Sequence, residues 1–241
     1  MPDYEDLNSP VIPLDVPLDG FPEGVRVANR RAVLEKIMHA AAETFAEQGF
    51  DGASIAEIAR RADLPKANVH YYFENKEILY RQVIFHILNV WTEQFSIFRS
   101  EGDPREILTN YIRAKIELSR KYPVESRVFA GELLRGAPSV EMFFRGRLRP
   151  RIDEVVRVFD AWAAQGLIDP IDPKHFLFMV WSATQAYADS RVQICAVLGI
   201  VELSEADYNT AAHQITAIIL KGCGVRSRPN HRRRATDSNS T

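Results

Sequence analysis

Cysteine is nearly absent from this chain, glycine is scarce, and no apolar run is long. The 241 residues include two cysteines, Cys195 and Cys223, and 12 glycines. Two thiols do not make the disulfide framework of a small secreted protein, so a reducing cytoplasm is the expected compartment. The longest apolar stretch, residues 176–181, is far shorter than the roughly 20 residues that span a bilayer, and residues 1–10 show no signal-peptide pattern. We therefore expect a soluble, cytoplasmic chain without a membrane segment.

An excess of positive charge is missing as well. The formal net charge is −2, whereas a simple DNA-binding domain is usually basic. Residues 26–77 contain eight basic and eight acidic side chains. Total charge therefore gives no sign of nucleic-acid binding, although Arg60, Arg61 and Lys66 are close enough in sequence to cluster on one face.

The two ends differ in composition from the rest of the chain. Residues 1–25 hold six acidic side chains, five prolines and no lysine or arginine, which predicts a disordered acidic arm. Residues 224–241 hold five arginines among polar residues and are predicted to form a flexible basic tail. One interpretation is that both ends are solvated and have no function. The alternative for the basic tail is nonspecific contact with phosphates.

Helical periodicity dominates between the two ends. Leu34, Ile37, Ala41 and Phe45 recur at the spacing of one helix face, and Gly49 is placed to end that helix. Further helix starts are marked by capping residues or by proline, at Ser54, Asp103, Pro123, Asp172 and Ser204. The pattern predicts an all-α protein of about nine helices.

Two domains follow from this pattern. A three-helix headpiece is predicted at residues 26–75, and a larger helical domain for ligand binding and dimerisation at residues 76–223. Within the larger domain one helix is predicted from 172 to about 198. Pro150 lies inside an apolar stripe at 144–162, where the helix either kinks or restarts.

The headpiece has the pattern of a helix-turn-helix. Ser54 and Glu57 have capping-box spacing, and the helix that follows Ser54 is apolar on the face that would pack on its partner. The sequence Asp63-Leu64-Pro65 then predicts a tight turn before a second short helix at 66–73. A longer helix with its own apolar face begins at Lys76.

The second short helix offers polar side chains suited to the major groove. Lysine can donate to guanine O6 and N7, and asparagine can bind adenine with two hydrogen bonds. Tyrosine and lysine can hold phosphates, as can the N-terminus of the helix that Ser54 begins. The predicted DNA-contacting residues are Ser54, Lys66, Ala67, Asn68, His70, Tyr71 and Lys76. The residues alone leave open a capped helical hairpin with ordinary surface side chains.

The segment GFDGASIAEIARRADLPKANVHYYFENKEILY closely resembles the DNA-binding signature of the TetR family of bacterial regulators. The resemblance covers about residues 30–79. It implies that Tyr72 and Phe73 are helix-anchoring aromatic residues and that Lys76 contacts a phosphate. Asp63 stands where the family usually has glycine, and Ala67 and His70 also differ from the commonest residues at their positions.

The segments YIRAKIELSRKYPVESRVFAGELLRGAP and LIDPIDPKHFLFMVWSATQAYAD resemble the C-terminal domain of the pyrimidine-utilisation regulators of this family. That resemblance implies a flat, nucleobase-like ligand such as uracil or thymine. Ala186 stands where those regulators have a polar residue.

The helix at residues 175–198 is apolar on more than one side and is therefore expected to be buried on more than one side. One side can face the domain core, and the other can join the last helix in an intermolecular four-helix bundle. The predicted partner is a second copy of the chain, because a two-fold dimer matches a palindromic DNA operator.

The same helix carries rings and hydrogen-bonding groups within nine residues, which suits a small planar ligand. The predicted ligand-contacting residues are Trp181, Thr184, Gln185, Tyr187 and Asp189, joined by Trp162 and Tyr111 from neighbouring helices. Weaker candidates are Arg113, Phe129 and Arg135. The alternative is that the tryptophans are core residues and that Gln185 and Asp189 satisfy each other or the dimer partner.

Enzyme motifs are missing. No histidine follows a glutamate at Glu-x-x-His spacing, and neither His-Glu-x-x-His nor Cys-x-x-Cys occurs. We therefore predict no catalytic residue, metal or cofactor, and expect a repressor that a small molecule releases from its operator. The alternatives are a helical small-molecule-binding enzyme and an interaction scaffold without sequence-specific DNA binding.

Overall fold

A computed structural model describes residues 23–226, and every regular element in that range is a helix. Most of the predicted acidic arm and basic tail lies outside the described residues. The helices are α1 (Glu23–Gly52), α2 (Ile55–Arg61), α3 (Lys66–Tyr72), α4 (Lys76–Glu93), α5 (Pro104–Lys121), α6 (Pro123–Leu134), α7 (Glu141–Phe143), α8 (Arg149–Ala164), α9 (Pro173–Asp189), α10 (Arg191–Leu198) and α11 (Glu205–Gly222). A 3-10 turn (Gln94–Ile97) follows α4, and a π-helical turn (Phe144–Leu148) precedes α8. The all-α prediction is confirmed.

The chain folds into two compact units. Within the described residues, the first comprises 23–89 together with 124–140, and the second comprises 90–123 and 141–226. Segments 76–89 and 124–140, assigned from the sequence to the larger domain, therefore belong to the same compact unit as the helix-turn-helix. The functional boundaries predicted at 26–75 and 76–223 concern DNA and ligand contacts, and they stay a prediction.

In the first unit α1 packs as its periodicity predicts. Ile37, Ala41 and Phe45 are buried. Gly49 interrupts the helix with φ 70° and ψ 178°, a conformation that favours glycine, and one further turn follows to Gly52. The regular part of α1 therefore ends where the sequence predicts.

The start of α2 corrects one detail of the capping prediction. The Ser54 hydroxyl accepts a hydrogen bond from the Glu57 N–H over 3.2 Å, so the N-cap forms. The Glu57 carboxylate instead accepts from Arg60 at 2.8 Å and from Arg61 at 2.9 Å. These hydrogen bonds, that from Arg60 first, lower the pKa of Glu57. The predicted capping box is therefore only half formed, because two arginines one turn away compete for its carboxylate.

The second unit is built on α5, α8, α9 and α11. Its core contains Tyr111, Phe159, Trp162, Leu177 and Val180, all buried. The predicted helix starts are confirmed by their caps: Asp103 accepts from the Arg105 N–H at 2.9 Å and Asp172 from the Lys174 N–H at 2.8 Å. The capping box of Ser204 is complete.

Two long helices of the prediction are divided. The helix predicted from 172 to 198 breaks at Ser190, whose backbone (φ −110°, ψ 25°) leaves the helical region, so the prediction of one continuous helix is wrong. Within the stripe at 144–162 a π-helical turn leads into α8, and Pro150 lies in the first turn of α8, where its missing N–H is not needed. None of the helices in residues 23–226 is long and apolar enough to cross a membrane.

Candidate functional site

The turn between α2 and α3 has the tight geometry of a helix-turn-helix. The N–H of Leu64 donates to the Ala59 carbonyl at 3.0 Å, and the N–H of Asp63 donates to the Arg60 carbonyl at 3.2 Å. Asp63 has φ 54°, in the left-handed region where glycine is unstrained and aspartate is one of the better tolerated alternatives. The backbone thus gives a physical reason for glycine at this position in the family and shows how aspartate replaces it here.

Helix α3 is held by a few buried side chains and exposes the rest. Val69 and Phe73 are almost completely buried, and Tyr72 is half-buried with the Arg30 guanidinium 5.9 Å from its ring centroid. All five residues of α3 that the sequence selects for DNA contact are exposed: Lys66, Ala67, Asn68, His70 and Tyr71. The fold therefore leaves them available to a ligand as large as a DNA duplex, and their contacts with bases stay a prediction.

Lys76 and Ser54 have structural partners in this molecule. The Lys76 ammonium donates to the carbonyls of Phe50 at 2.8 Å and Ala53 at 3.0 Å, and it lies 4.5 Å from the centroid of the Phe50 ring. It thereby caps the C-terminal end of α1. The predicted phosphate contact of Lys76 is untested, as is that of the exposed Ser54.

A buried carboxylate that the sequence analysis did not select joins α4 to α6 in the first unit. Glu132 is fully buried and accepts three hydrogen bonds: from Tyr80 Oη at 3.0 Å, from Arg135 Nη2 at 2.7 Å and from the Ser139 N–H at 2.7 Å. The Arg135 guanidinium also lies over the rings of Tyr80 and Phe50, at 5.3 and 5.8 Å from their centroids. Arg135, a weak ligand candidate from the sequence, is thus engaged in this network.

The electrostatics of this network are coupled. Burial raises the pKa of Glu132, but the hydrogen bonds from Arg135, Ser139 and Tyr80 outweigh it and leave the pKa below its ordinary value. Burial and the charge of Glu132 raise the pKa of Tyr80. The network therefore consists of a carboxylate, a neutral phenol and a guanidinium, and every group has a partner of complementary kind.

In the second unit, two of the predicted ligand residues form a pair between α5 and α9. The indole N–H of Trp181 donates to Tyr111 Oη over 2.8 Å, and the Phe95 ring lies 6.1 Å from Tyr111 and 6.2 Å from Trp181. Tyr111 is buried and Trp181 half-buried. Thr184 is fully buried near this pair on α9, and its hydroxyl donates to the Val180 carbonyl at 2.8 Å.

The other predicted ligand residues are dispersed. Trp162 is fully buried, 5.2 Å from the Phe159 ring, and its indole N–H has no hydrogen-bond partner among residues 23–226. Tyr187 packs against Tyr208, at 6.4 Å, in a second apolar cluster. Gln185 is half-buried and Asp189 exposed. Tyr111, Trp181 and Thr184 thus lie together where α5 packs on α9, and the other predicted residues do not join them. The contacts of all these residues with a ligand stay a prediction.

Lys115 is the functional candidate that sequence reasoning missed in this unit. It is only 4% exposed, and its Nζ lies 4.7 Å from the centroid of the Trp91 ring. Burial lowers the pKa of Lys115 to about 7, and the charge of Asp189 opposes part of that shift. The available signal was positional, since Lys115 is four residues from both Tyr111 and Ser119 on the buried face of α5.

Metal ligands are not assembled in the described part of the chain. In residues 23–226 no group of three or more His, Cys, Asp or Glu side chains could hold a metal ion. Cys195 and Cys223 are both buried free thiols.

Comparison with protein families gives two matches that together span most of the chain. The model of bacterial regulatory proteins of the tetR family matches residues 37–83, and the model of the C-terminal region of YcdC-like proteins matches residues 84–226. The HTH-type transcriptional regulator RutR of Escherichia coli (strain K12) is 40% identical over 195 residues, which cover 80% of this chain and 92% of that protein. The HTH-type transcriptional repressor NicS of Pseudomonas putida is 26% identical over 183 residues, covering 73% and 85%.

The fold matches solved structures of regulators. AibR in complex with isovaleryl coenzyme A and operator DNA superposes with a TM-score of 0.60 at 21% identity, covering 77% of this chain and 97% of that one. The families and relatives that match are transcriptional regulators and not enzymes. These findings confirm that the headpiece resembles the TetR family and that the C-terminal segments resemble the pyrimidine-utilisation regulators.

Proposed function

Because this chain belongs to the TetR family of bacterial helix-turn-helix transcriptional regulators, we propose that it represses transcription as a homodimer on a palindromic operator and that a small molecule releases it. The observation that carries the DNA-binding part is the arrangement of α3. Val69 and Phe73 fix the helix, the turn at Asp63 sets its direction, and its polar residues are exposed. Such a protein acts in the cytoplasm, where its operator is.

On DNA, α3 would lie in the major groove with its N-terminal residues against the base edges. Lys66 suits guanine and Asn68 suits adenine, while Tyr71 can reach a phosphate. Arg60 and Arg61 on α2 are paired with Glu57 and Glu47 within the protein. These four side chains form a group without net charge, so the proposed DNA contacts depend on the exposed polar residues of α3.

Dimerisation through α9 and α11 is supported by apolar side chains that the single chain leaves exposed. Met179 on α9 is 53% exposed and Ile218 on α11 is 69% exposed, and Phe178 on α9 is also exposed. Exposed large apolar residues on two helices that both pack on α5 are typical of an interface. A two-fold interface of this kind places two α3 helices on half-sites about 10 base pairs apart or a multiple of that spacing.

A ligand site in the second unit is supported by the Tyr111–Trp181 pair with Thr184 and Gln185 beside it. Aromatic faces with a few hydrogen-bonding groups suit a planar heterocycle. The resemblance of the C-terminal segments to pyrimidine-utilisation regulators supports uracil or thymine, and Ala186 is the residue at which specificity would differ. The ligand must bind the DNA-incompetent state more tightly, because equal affinity for both states shifts nothing. Helix α4, which leads from the headpiece toward the second unit, is the proposed lever.

A gel shift on the DNA upstream of the gene tests the DNA-binding proposal. The double variant Lys66→Ala/Asn68→Ala should lose specific binding by roughly 30-fold or more, since each good base contact is worth about 1–3 kcal/mol. The matched control removes the same residue types from exposed positions of α5, in Lys121→Ala/Asn110→Ala. If the α3 variant binds as tightly and as specifically as the control, α3 is not the helix that reads DNA.

A thermal-shift screen against nucleobases, nucleosides and other small metabolites tests the ligand. A pyrimidine that raises the melting temperature and releases operator DNA would support the proposal. Operator binding without a thermal shift by any nucleobase would support the DNA-binding part of the proposal and contradict a pyrimidine as the ligand.

Analytical ultracentrifugation of the double variant Met179→Glu/Ile218→Glu tests the dimer. This variant should be a monomer, because it places charged side chains in the proposed interface.

A further inference from the structure

The acidic arm has no role in the proposed function. Residues 1–22, which precede the described residues, carry five carboxylates and no lysine or arginine. Large apolar residues lie between the carboxylates, as in the stretch VIPLDVPLD at 11–19. A segment of this composition is complementary to a surface that offers a cation, hydrogen-bond donors and an exposed ring, and that carries no acidic group of its own.

The exposed face of α3 is a surface of that kind. Helix α3 has the sequence KANVHYY without a carboxylate, and Lys66 forms no ion pair in the described part of the chain. Tyr71 is 52% exposed, and among residues 30–89 it is the one exposed large apolar side chain. The arginines of α2, by contrast, are already paired with Glu57 and Glu47. The face of α3 therefore matches the arm both in charge and in apolar character.

The arm is attached close to α3. It precedes Glu23, the first residue of α1, and seven residues later the Arg30 guanidinium lies 5.9 Å from the ring centroid of Tyr72, at the C-terminal end of α3. Seven helical residues span about 10 Å, which is also the length of α3. A segment of 22 residues reaches up to about 70 Å when extended. Every exposed side chain of α3 is therefore within its reach.

The covalent connection makes weak docking effective. A group held by a short flexible linker meets its site at an effective concentration in the millimolar range, so contacts too weak to bind a free peptide suffice. A face that binds the phosphates of DNA also binds carboxylates, because both present anionic oxygens to the same donors. The arm and the operator would therefore compete for Lys66 and its neighbours on α3.

We propose that residues 1–22 occupy the exposed face of α3 when DNA is absent, with carboxylates of the arm at Lys66 and apolar side chains against the ring of Tyr71. An operator must displace the arm before α3 enters the major groove. The inference rests on the proposed function in one respect, since it takes α3 as the helix that binds DNA. It adds an intramolecular competitor that lowers the affinity for DNA by the fraction of molecules in which the face is free.

Acylation of lysines in the full-length protein without DNA tests the docking. One variant neutralises the arm, and a control neutralises the same number of exposed acidic residues in the second unit, so that both change the net charge equally. The arm variant carries Asp3→Asn, Glu5→Gln, Asp6→Asn, Asp15→Asn and Asp19→Asn. The control carries Glu101→Gln, Glu106→Gln, Glu154→Gln, Asp160→Asn and Glu205→Gln.

We expect N-acetoxysuccinimide to modify Lys66 at least about 5-fold faster in the arm variant than in the wild type, because the rate follows the fraction of molecules in which this face is free. The control should react like the wild type. Lys121, which is exposed on α5, should react equally in all three proteins and reports any general change in reactivity. Mass spectrometry of the modified peptides measures each rate. Equal rates for Lys66 in the wild type and the arm variant overturn the inference.

Operator affinity tests the consequence. In a gel shift at about 0.1 M salt, the arm variant should bind about 5- to 10-fold more tightly than the wild type, because the face of α3 is then always free. The control should differ from the wild type by less than about 2-fold, since exposed charges are screened at this salt concentration. Equal gains in the two variants overturn the inference, because net charge alone then explains the effect.

Two further outcomes separate other causes. Protection of Lys66 that persists in the arm variant and rises with protein concentration assigns the cover to a second copy of the chain and overturns the inference. Faster acylation of the arm variant, with no operator binding by any of the three proteins, supports the docking and contradicts the proposed function. Failure of the docking and failure of the DNA-binding function are thus distinguishable.

Discussion

Tyr80 Oη donates a hydrogen bond to the Glu132 carboxylate over 3.0 Å, and this bond joins α4 to α6. Arg135 and the Ser139 N–H complete the coordination of the same carboxylate. The network lies in the compact unit that contains the helix-turn-helix. A displacement of α6 would therefore either move α4 as well or lengthen and weaken these hydrogen bonds.

Glu132→Gln should destabilise the protein by about 1–3 kcal/mol, because the amide accepts fewer and weaker hydrogen bonds from the same three donors. Urea unfolding at neutral pH measures the change. Glu154→Gln, at an exposed glutamate paired with Arg151, is the control and should change stability by less than about 0.5 kcal/mol. Equal effects of the two substitutions would show that burial of Glu132 confers no special role.

The pH dependence of that difference has a defined sign. The pKa of Glu132 is lower in the folded protein than its ordinary value, so its stabilisation is present above the unfolded pKa, about 4.3. It is lost as the pH falls below that value. The stability gap between wild type and Glu132→Gln should therefore shrink below about pH 4, and a gap that widens in acid contradicts the assignment.

Lys115→Met should make the free protein more stable at pH 7, by about 1–4 kcal/mol, because it replaces a buried charge with an apolar chain of similar length. In the fold, burial lowers the pKa of Lys115 to about 7, whereas the unfolded value is about 10.4. Between these values the unfolded chain binds more protons, so wild-type stability rises with pH across that window. The variant should lack this rise. Thermal melts from pH 6 to 10 measure it, and a variant less stable than wild type at pH 7 refutes it.

The helix starts could be predicted because they depend on neighbours in sequence. Asp103, Asp172 and Ser204 cap helices through contacts within three residues, and all three are confirmed. The break at Ser190 could not be predicted in this way. No glycine or proline is present there, and Ser190, although it is the N-cap residue of α10, makes no side-chain capping hydrogen bond.

The two buried charges were missed for a different reason. Lys115 and Glu132 occupy buried positions of their helices by periodicity, beside Ile116 and Phe129 respectively. The usual expectation that charged side chains lie at the surface removes them from a list of core or site residues. The tertiary partners that make burial tolerable, Trp91 for the lysine and Tyr80 for the glutamate, lie 24 and 52 residues away in sequence and cannot be read from local pattern.

Asp63→Gly should stabilise the headpiece by up to about 1 kcal/mol, since φ 54° costs a side-chain-bearing residue energy that glycine does not lose. Asp63→Ala is the matched control, because it also removes the carboxylate but keeps the Cβ atom. The expected order of melting temperatures is glycine, then aspartate, then alanine. If alanine equals glycine, the backbone of this turn is not strained.

Substitution of Lys76 can separate its structural role from a contact with DNA. Lys76→Met removes the ammonium that caps the carbonyls of Phe50 and Ala53, so we expect a loss of about 1–3 kcal/mol in the free energy of unfolding. If Lys76 also holds a phosphate, the slope of log K for operator binding against log salt concentration should fall by about 0.9 in magnitude. The control is Lys121→Met, which should change neither quantity. A stability loss with an unchanged salt slope would assign Lys76 to the end of α1 alone and leave phosphate binding to Tyr71 and the N-terminus of α2.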